Sequence, residues 1–426
     1  MRQVAPHLDA DRPRRFHLLA KPTGARCNLD CAYCFFVGKG NLSPGGRPRM
    51  SDEVLDGYLT QLMEAHPDGE VTVAWQGGEP TLMGIGFFRR AVERAEARRR
   101  PGQRVRHTIQ TNGTLLDDEW ARMLAEHHFL VGLSIDGPPE VHDRFRVDKR
   151  GQPTSARVLR GLGHLQRRGV EVNVLCTVHA GNQHRPLDVY RYFRDALGVE
   201  HIQFIPIVER VPALAPGRPG PSERVTDRSV DPAAWGQFLV SVFDEWFPRD
   251  IGAVFVQLFD TALAAWSGLP SPLCLFGETC GGGPALMHTG DVYSCDHFVD
   301  PDHLLGAIHQ VPLAELVASP VQRAFGRAKA DTLPATCLRC EFLFACHGEC
   351  PKNRLATVAG GEPGLNYLCA GYRSFWGHVD RPMRLMAGLL AEGRPAGDVS
   401  AVLAAAGRND PCPCGSGRKA KHCHQR

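Results

Sequence analysis

Residues 25–36 read ARCNLDCAYCFF and put Cys27, Cys31 and Cys34 in one short loop. Thiolates gathered this closely fit zinc or an iron–sulfur cluster. A closed tetrahedral zinc site takes four ligands, so three leave one place to fill. One reading is a zinc knuckle whose fourth ligand lies far off in the chain. The other is a four-iron cluster with one iron left open, free to bind a substrate or cofactor through nitrogen and oxygen.

The flanks give this loop its place in a fold. FHLLAKPTG (16–24), just before it, is strand-like, and further apolar runs follow at VTVAWQGGEP (71–80), HTIQTNG (107–113), LVGLSIDGP (130–138), VEVNVLCTV (170–178) and HIQFIPIV (201–208). Helical spacing fills the gaps, as in SDEVLDGYLTQLMEAH (51–66), DDEWARMLAEHH (117–128) and TSARVLRGLGHLQRRG (154–169). Repeated strand–helix units imply parallel strands joined by right-handed crossovers. Six units are too few to close an eight-stranded barrel, so the expectation is an α/β fold with an incomplete (β/α)6 barrel. The polar and glycine-bearing signals fall where the strands end, the face on which such folds assemble their sites.

Beyond the sixth unit the pattern changes. VPALAPGRPGPSERVTDRSVDP (211–232) reads as a long loop, and AAWGQFLVSVFDEWF (233–247) and VQLFDTALAAW (256–266) as helices. Cysteines and glycines dominate from about 270 to 376, after which PMRLMAGLLAEG (382–393) and GDVSAVLAAAG (397–407) are again helical. With 43% hydrophobic and 22% charged residues, the 426-residue chain has the composition of a globular protein of two or three domains. The net charge of +3 does not point to nucleic acid, and RRAVERAEARRR (89–100) reads as the wet face of a helix. No apolar run reaches membrane-spanning length and the N-terminus lacks a signal-peptide core, which implies a cytoplasmic protein with no membrane partner. Fifteen cysteines in that compartment call for metal, catalysis or burial rather than disulfides.

Three motifs at strand ends carry further chemistry. In WQGGEP (75–80) paired glycines let backbone approach a ligand, and Glu79 offers a charged acceptor for an ammonium group. In SIDGP (134–138) Ser134 offers a hydroxyl, and Arg146 of HDRFR (142–146) a fork for a carboxylate. Asp136 is as well placed for a turn before Gly137-Pro138 as for a ligand. Together with Tyr33 before the third cysteine, these segments resemble the signature of radical S-adenosylmethionine enzymes. The resemblance implies that the fourth ligand is the cofactor itself, which chelates the open iron of a [4Fe-4S] cluster held by Cys27, Cys31 and Cys34. Reduction then splits its carbon–sulfur bond to a 5′-deoxyadenosyl radical. It also implies S-adenosylmethionine contacts from Gly77, Gly78 and Glu79 to the amino group, and from Ser134, Arg146 and Gln76.

Eight more cysteines follow: Cys274, Cys280, Cys295, Cys337, Cys340, Cys346, Cys350 and Cys369. Eight thiolates are the number for two fully ligated clusters, with two zinc sites the competing reading. Their spacing resembles the SPASM extension of peptide-modifying radical enzymes, and most closely that of anaerobic sulfatase-maturing enzymes. By that resemblance Cys274, Cys280, Cys295 and Cys350 hold one auxiliary cluster and Cys337, Cys340, Cys346 and Cys369 a second, which makes three [4Fe-4S] clusters in all. Asp296, directly after Cys295, corresponds to the general base of that branch, and burial beside an anionic cluster is expected to raise its pKa. Phe36 stands where the branch often has tyrosine, so a hydroxyl is missing.

The tail DPCPCGSGRKAKHCHQR brings Cys412, Cys414, Cys423 and His424 together as a compact ligand set for structural Zn2+, and resembles the SEC-C motif. Its basic residues fit an acidic partner surface. Cys176, in an apolar strand, is left as a small buried residue.

The organisation implied is a radical SAM partial barrel at 16–235, a helical bridge and cysteine-rich SPASM domain at 236–380, a helical linker at 381–407 and a zinc motif at 408–426. The reaction implied is oxidation of a cysteine or serine in a sulfatase-type peptide to Cα-formylglycine, supplied with electrons by an external donor such as flavodoxin or ferredoxin. The alternatives are a SPASM maturase acting on another ribosomal peptide and a non-catalytic metal-binding or electron-transfer adaptor.

Overall fold

The structure, a computed structural model, describes residues 16–36, 48–211, 225–358 and 361–423. Most of the proline-rich stretch at 211–232 and the tail residue His424 lie outside them. Six parallel strands come first: β1 (Leu19–Lys21), β2 (Gly69–Trp75), β3 (Gln103–Thr111), β4 (Leu130–Ser134), β5 (Glu171–Val178) and β6 (His201–Pro206). They lie side by side in chain order, each joined to the next by a crossover connection, as parallel neighbours must be. The helices between them are α1 (Asp52–Ala65), α2 (Ile85–Arg98), α3 (Asp118–Glu126), the single turn α4 (Pro139–His142), α5 (Ser155–Arg167) and α6 (Pro186–Arg191). The basic run at 89–100 lies largely on α2, where Arg94 and Arg98 pair with Asp56 of α1 at the protein surface.

The sheet does not stop at six strands. A two-residue strand β7 (Phe255–Val256) adds to β6. On the opposite side β8 (Ala285–Met287) pairs in parallel with β1, Leu19 opposite Ala285 and Lys21 opposite Met287. Antiparallel β9 (Asp291–Tyr293) and β10 (Leu304–Ala307) complete a ten-stranded sheet. These segments of two to four residues are too short to show a period of two, so the sequence carries no strand signal there. Their effect is large, because the cysteine-rich region thereby covers the edge of the barrel.

Helices α7 (Pro232–Trp246), α8 (Gln257–Trp266), α9 (Leu313–Val317), α10 (Pro320–Asp331), α11 (Ala335–Leu338) and α12 (Leu343–Cys346) lead to the long α13 (Cys369–Ala391). α13 runs without a break through the position where the sequence places a boundary at 380/381. Its buried stripe of Phe375, Trp376, Val379, Met383 and Met386 continues across Pro382. Aromatic rings from α7 and α8 meet it, Trp235 edge-on to Tyr372 at 6.0 Å and Phe259 stacked on Phe375 at 5.7 Å between ring centres. A short α14 (Val399–Ala405) precedes the tail. No described helix is long and apolar enough to cross a membrane.

Candidate active site and metal centres

The loop bearing Cys27, Cys31 and Cys34 leaves the C-terminal end of β1 and is held from beneath by the GGEP turn after β2. Gly78 N–H donates to Gly24 O and Glu79 N–H to Arg26 O, each at 2.9 Å. A methyl group on Gly78 would lie 2.0 Å from Arg26 O, so only glycine lets the two backbones meet. The Glu79 side chain is fully buried. Oε1 accepts from Thr81 N–H, Thr81 Oγ1 and Thr111 Oγ1, and Oε2 from Asn112 N–H at 2.8 Å. Burial pushes this carboxyl up, and these four donors pull against it. The carboxylate offered to an ammonium group by the sequence reading is therefore engaged by the chain's own donors, and ties the ends of β2 and β3 together.

Arg146 and Asp136 form the second half of the site. Both are buried, with Arg146 Nε donating to Asp136 Oδ2 at 2.9 Å and Nη2 to Thr177 Oγ1 at 3.1 Å. Asp136 Oδ1 also accepts from Thr177 N–H at 3.0 Å, and Oδ2 from the Tyr33 hydroxyl. Although burial pushes the Asp136 carboxyl up, the Arg146 guanidinium outweighs it and holds it below the ordinary carboxylate range. Asp136 thus joins the cysteine loop, through Tyr33, to the ends of β4 and β5. Ser134 closes β4, nearly buried. Cys176 is buried, its thiol on Asp136 O at 3.5 Å, as a small core residue would be.

One residue of this cluster was missed by the sequence reading. Lys21, the last residue of β1, is 1% exposed, its ammonium paired with Asp296 and 3.5 Å from Gln76 Oε1. The same ammonium lies 4.6 Å above the centre of the Phe36 ring, in cation–π contact. Gln76 in turn donates to Gln110 Oε1 at 2.8 Å. Asp296, 8% exposed, arrives on the loop after β9. The structure thus pairs Asp296, from the cysteine-rich region, with a buried cation at the end of β1. The available signal was a lysine ending a wholly apolar strand, since lysine is rarely buried unless paired.

The remaining thiols divide by their electrostatic neighbours. Cys295 interacts with Cys274 and Cys280, and Cys350 with Cys295 and Cys280. Separately, Cys346 interacts with Cys369 and Cys337, and Cys369 with Cys337 and Cys340. His297 adds a contact at 3.6 Å from Nδ1 to the Cys350 sulfur. Burial raises Cys27 and Cys295 to about 12 and Cys31 and Cys369 to about 11. Sulfurs so placed become thiolates only against a cation, and clustered iron supplies one.

The tail differs. The sulfurs of Cys412, Cys414 and Cys423 all lie within 4.8 Å of one another, the one such trio among the described residues. With zinc–sulfur bonds of about 2.3 Å, that spacing suits a single tetrahedral ion. Cys412 and Cys414 are buried, and a backbone bridge pairs Pro411 with Lys419.

Comparisons with known proteins agree with this layout. The pattern of the Radical SAM superfamily matches residues 22–192, that of an iron–sulfur cluster-binding domain, SPASM, residues 283–341, and the SEC-C motif residues 408–426. A serine-type anaerobic sulfatase-maturating enzyme of Bacteroides thetaiotaomicron is 42% identical over 377 residues, covering 87% of this chain and 91% of the relative. A cysteine-type enzyme of Clostridium perfringens is 31% identical over 366 residues, covering 84% and 95%. The solved structure of native anSMEcpe with bound AdoMet and Kp18Cys peptide superposes with a TM-score of 0.77 at 30% identity, covering 88% of this chain and 99% of that one.

Proposed function

Since this chain belongs to the anaerobic sulfatase-maturating family of radical SAM enzymes, we propose that it oxidises a cysteine or serine of a sulfatase-type peptide to Cα-formylglycine. The observation that carries the reading is the Lys21–Asp296 pair beside Gln76. A carboxylate from the cysteine-rich region is brought to the end of β1, where the three-cysteine loop begins, and a buried ammonium fixes its position as a candidate proton acceptor.

Cys27, Cys31 and Cys34 would hold the cluster that chelates S-adenosylmethionine. The amino group of the cofactor would lie on the backbone of Gly77, Gly78 and Glu79, its ribose near Ser134, and its carboxylate near Arg146, with Gln76 alongside. Arg146 Nη1 makes no hydrogen bond among the described residues, whereas Nε and Nη2 are committed to Asp136 and Thr177. Two auxiliary clusters, on Cys274, Cys280, Cys295 and Cys350 and on Cys337, Cys340, Cys346 and Cys369, complete the set of three. When bound, these groups supply the hydrogen-abstracting oxidant and a sink for the second electron, replenished by a flavodoxin- or ferredoxin-type donor. Asp296 takes the thiol or hydroxyl proton of the target as its Cβ is oxidised, and Lys21 holds the Asp296 side chain in place. A Zn2+ ion in the tail would draw its ligands from Cys412, Cys414 and Cys423, with His424 as the fourth.

The test is anaerobic reconstitution with metal analysis, followed by mass spectrometry of cysteine- and serine-bearing sulfatase peptides alongside deoxyadenosine. Formylglycine released in step with deoxyadenosine is expected; a crosslink in its place, or deoxyadenosine without any peptide change, rejects the reading. Asp296→Asn should lower peptide turnover by roughly 100-fold or more while iron content holds, the size of a lost general base. Full activity in that variant would remove Asp296 from the mechanism.

A further inference from the structure

The buried stripe of α10 is not apolar. Gln322, Gly326 and Lys329 recur at helical spacing on one face, and all three are buried, Lys329 at 0% exposure. Each touches a segment carrying one of the cysteines. Gln322 Nε2 donates to Gly281 O and to Ser294 O, both at 3.0 Å, next to Cys280 and Cys295 respectively. At Gly326 the carbonyl accepts the Cys280 N–H at 3.1 Å, and an added methyl would meet Cys280 O at 2.8 Å. Lys329 Nζ donates to Cys274 O at 2.8 Å and Leu275 O at 2.7 Å. One helix therefore clamps the backbones around Cys274, Cys280 and Cys295.

The lysine is the anomaly in this arrangement. Carbonyls can satisfy its hydrogen bonds but not its charge, and no carboxylate lies within salt-bridge distance of it among the described residues. A buried ammonium without an anion is costly. The ammonium sits on the Cys274 carbonyl, and the groups whose charge acts on it are the thiols of Cys280, Cys274 and Cys350, with Glu349, which Asn353 and Asn366 already hold. Four thiolates around a cubane leave it with net negative charge, which grows on reduction, and nearby charge sets the potential of such a centre.

We propose that Lys329 is the counter-charge of the auxiliary cluster on Cys274, Cys280, Cys295 and Cys350, and that it raises the reduction potential of that cluster. The inference rests on the cluster assignment made above and not on the identity of the peptide substrate.

It is tested in the full-length chain with Cys27, Cys31 and Cys34 changed to Ala, so that only auxiliary clusters contribute to EPR-monitored redox titrations. Iron and sulfide analysis of that parent comes first, and a parent without clusters rejects the assignment rather than the role of Lys329. Lys329→Gln keeps an N–H donor for the carbonyls and removes the charge, Lys329→Met removes both, and Lys329→Arg keeps the charge. In the neutral variants the equilibrium constant for reducing one cluster should fall at least tenfold, about 59 mV for a one-electron step, while the other is unmoved and Arg stays near the parent. Failure of both neutral variants to load that cluster, with Arg loading, upholds the same claim at assembly. Neutral variants that load with an unchanged potential overturn it, and so does failure of all three to load.

Discussion

Asp136 and Glu79 are both fully buried carboxylates at strand ends, and their settings explain why they differ. Asp136 has a guanidinium partner and is held anionic, whereas Glu79 meets only neutral donors and is pushed up by burial. Neither stands free to the site; each ties neighbouring strand ends into the frame that presents the cysteine loop. The tightest point of that frame is Gly78, and Gly78→Ala should force the loop off the turn. Iron bound at Cys27, Cys31 and Cys34 and cofactor cleavage should then be lost together, while iron at the other cysteines remains; unchanged cleavage by the variant would contradict the packing. His107 provides a test away from any thiol. It stacks on Phe129 at 5.0 Å between ring centres, neither ring nitrogen has a partner among the described residues, and burial, aided by His127, lowers its pKa to about 4. Its folded pKa lies below the unfolded value, so the unfolded chain binds the extra proton first. Stability is lost as pH falls through 6.5, by about 3 kcal/mol once below 4. His107→Phe should remove that loss, read as a gap in urea midpoint between variant and parent that widens from pH 7 toward pH 5.

α7 and α13 pack more closely than their aromatic residues alone would allow, because they cross at glycines. A methyl on Gly371 would sit 2.1 Å from Pro232 O, and one on Gly236 would sit 2.7 Å from Gly371 O. Gly371→Val should wedge the helices apart and destabilise the protein by about 3 kcal/mol, as overpacking a tight contact does, visible as a lower thermal midpoint. A midpoint within a degree of the parent would mean that the crossing is looser than drawn. α10 belongs to the same class of element, since its interior face is chosen for what it holds and not for hydrophobicity. Reading it by apolar period misplaces its buried side, which explains why Lys329 drew no attention in the sequence.

The sheet makes the chain one folding unit across its principal domains. β1 is paired on one side by β2 and on the other by β8, from the cysteine-rich region, and Lys21 at its end reaches Asp296. Cutting the chain after residue 235 would bare the edge of β1 and leave a buried lysine without its anion. The fragment 1–235 should therefore be insoluble or aggregate where the full chain is monodisperse, as size-exclusion chromatography would show. A soluble, monomeric fragment with native-like circular dichroism would show that the edge needs no cover.

How much of this could be read beforehand follows the range of the forces involved. The six strand–helix units, the cysteine loop, the GGEP turn and the wet face of α2 are legible because period, spacing and turn chemistry act between near neighbours in the chain. The sequence by itself determined which residues can bind metal and which strand ends can face a cofactor. Tertiary structure alone decided that Asp296 meets Lys21 across 275 positions, that β8 closes on β1, and that α10 turns a lysine inward. Buried charge is balanced only when distant segments fold together, and no local pattern records the partner.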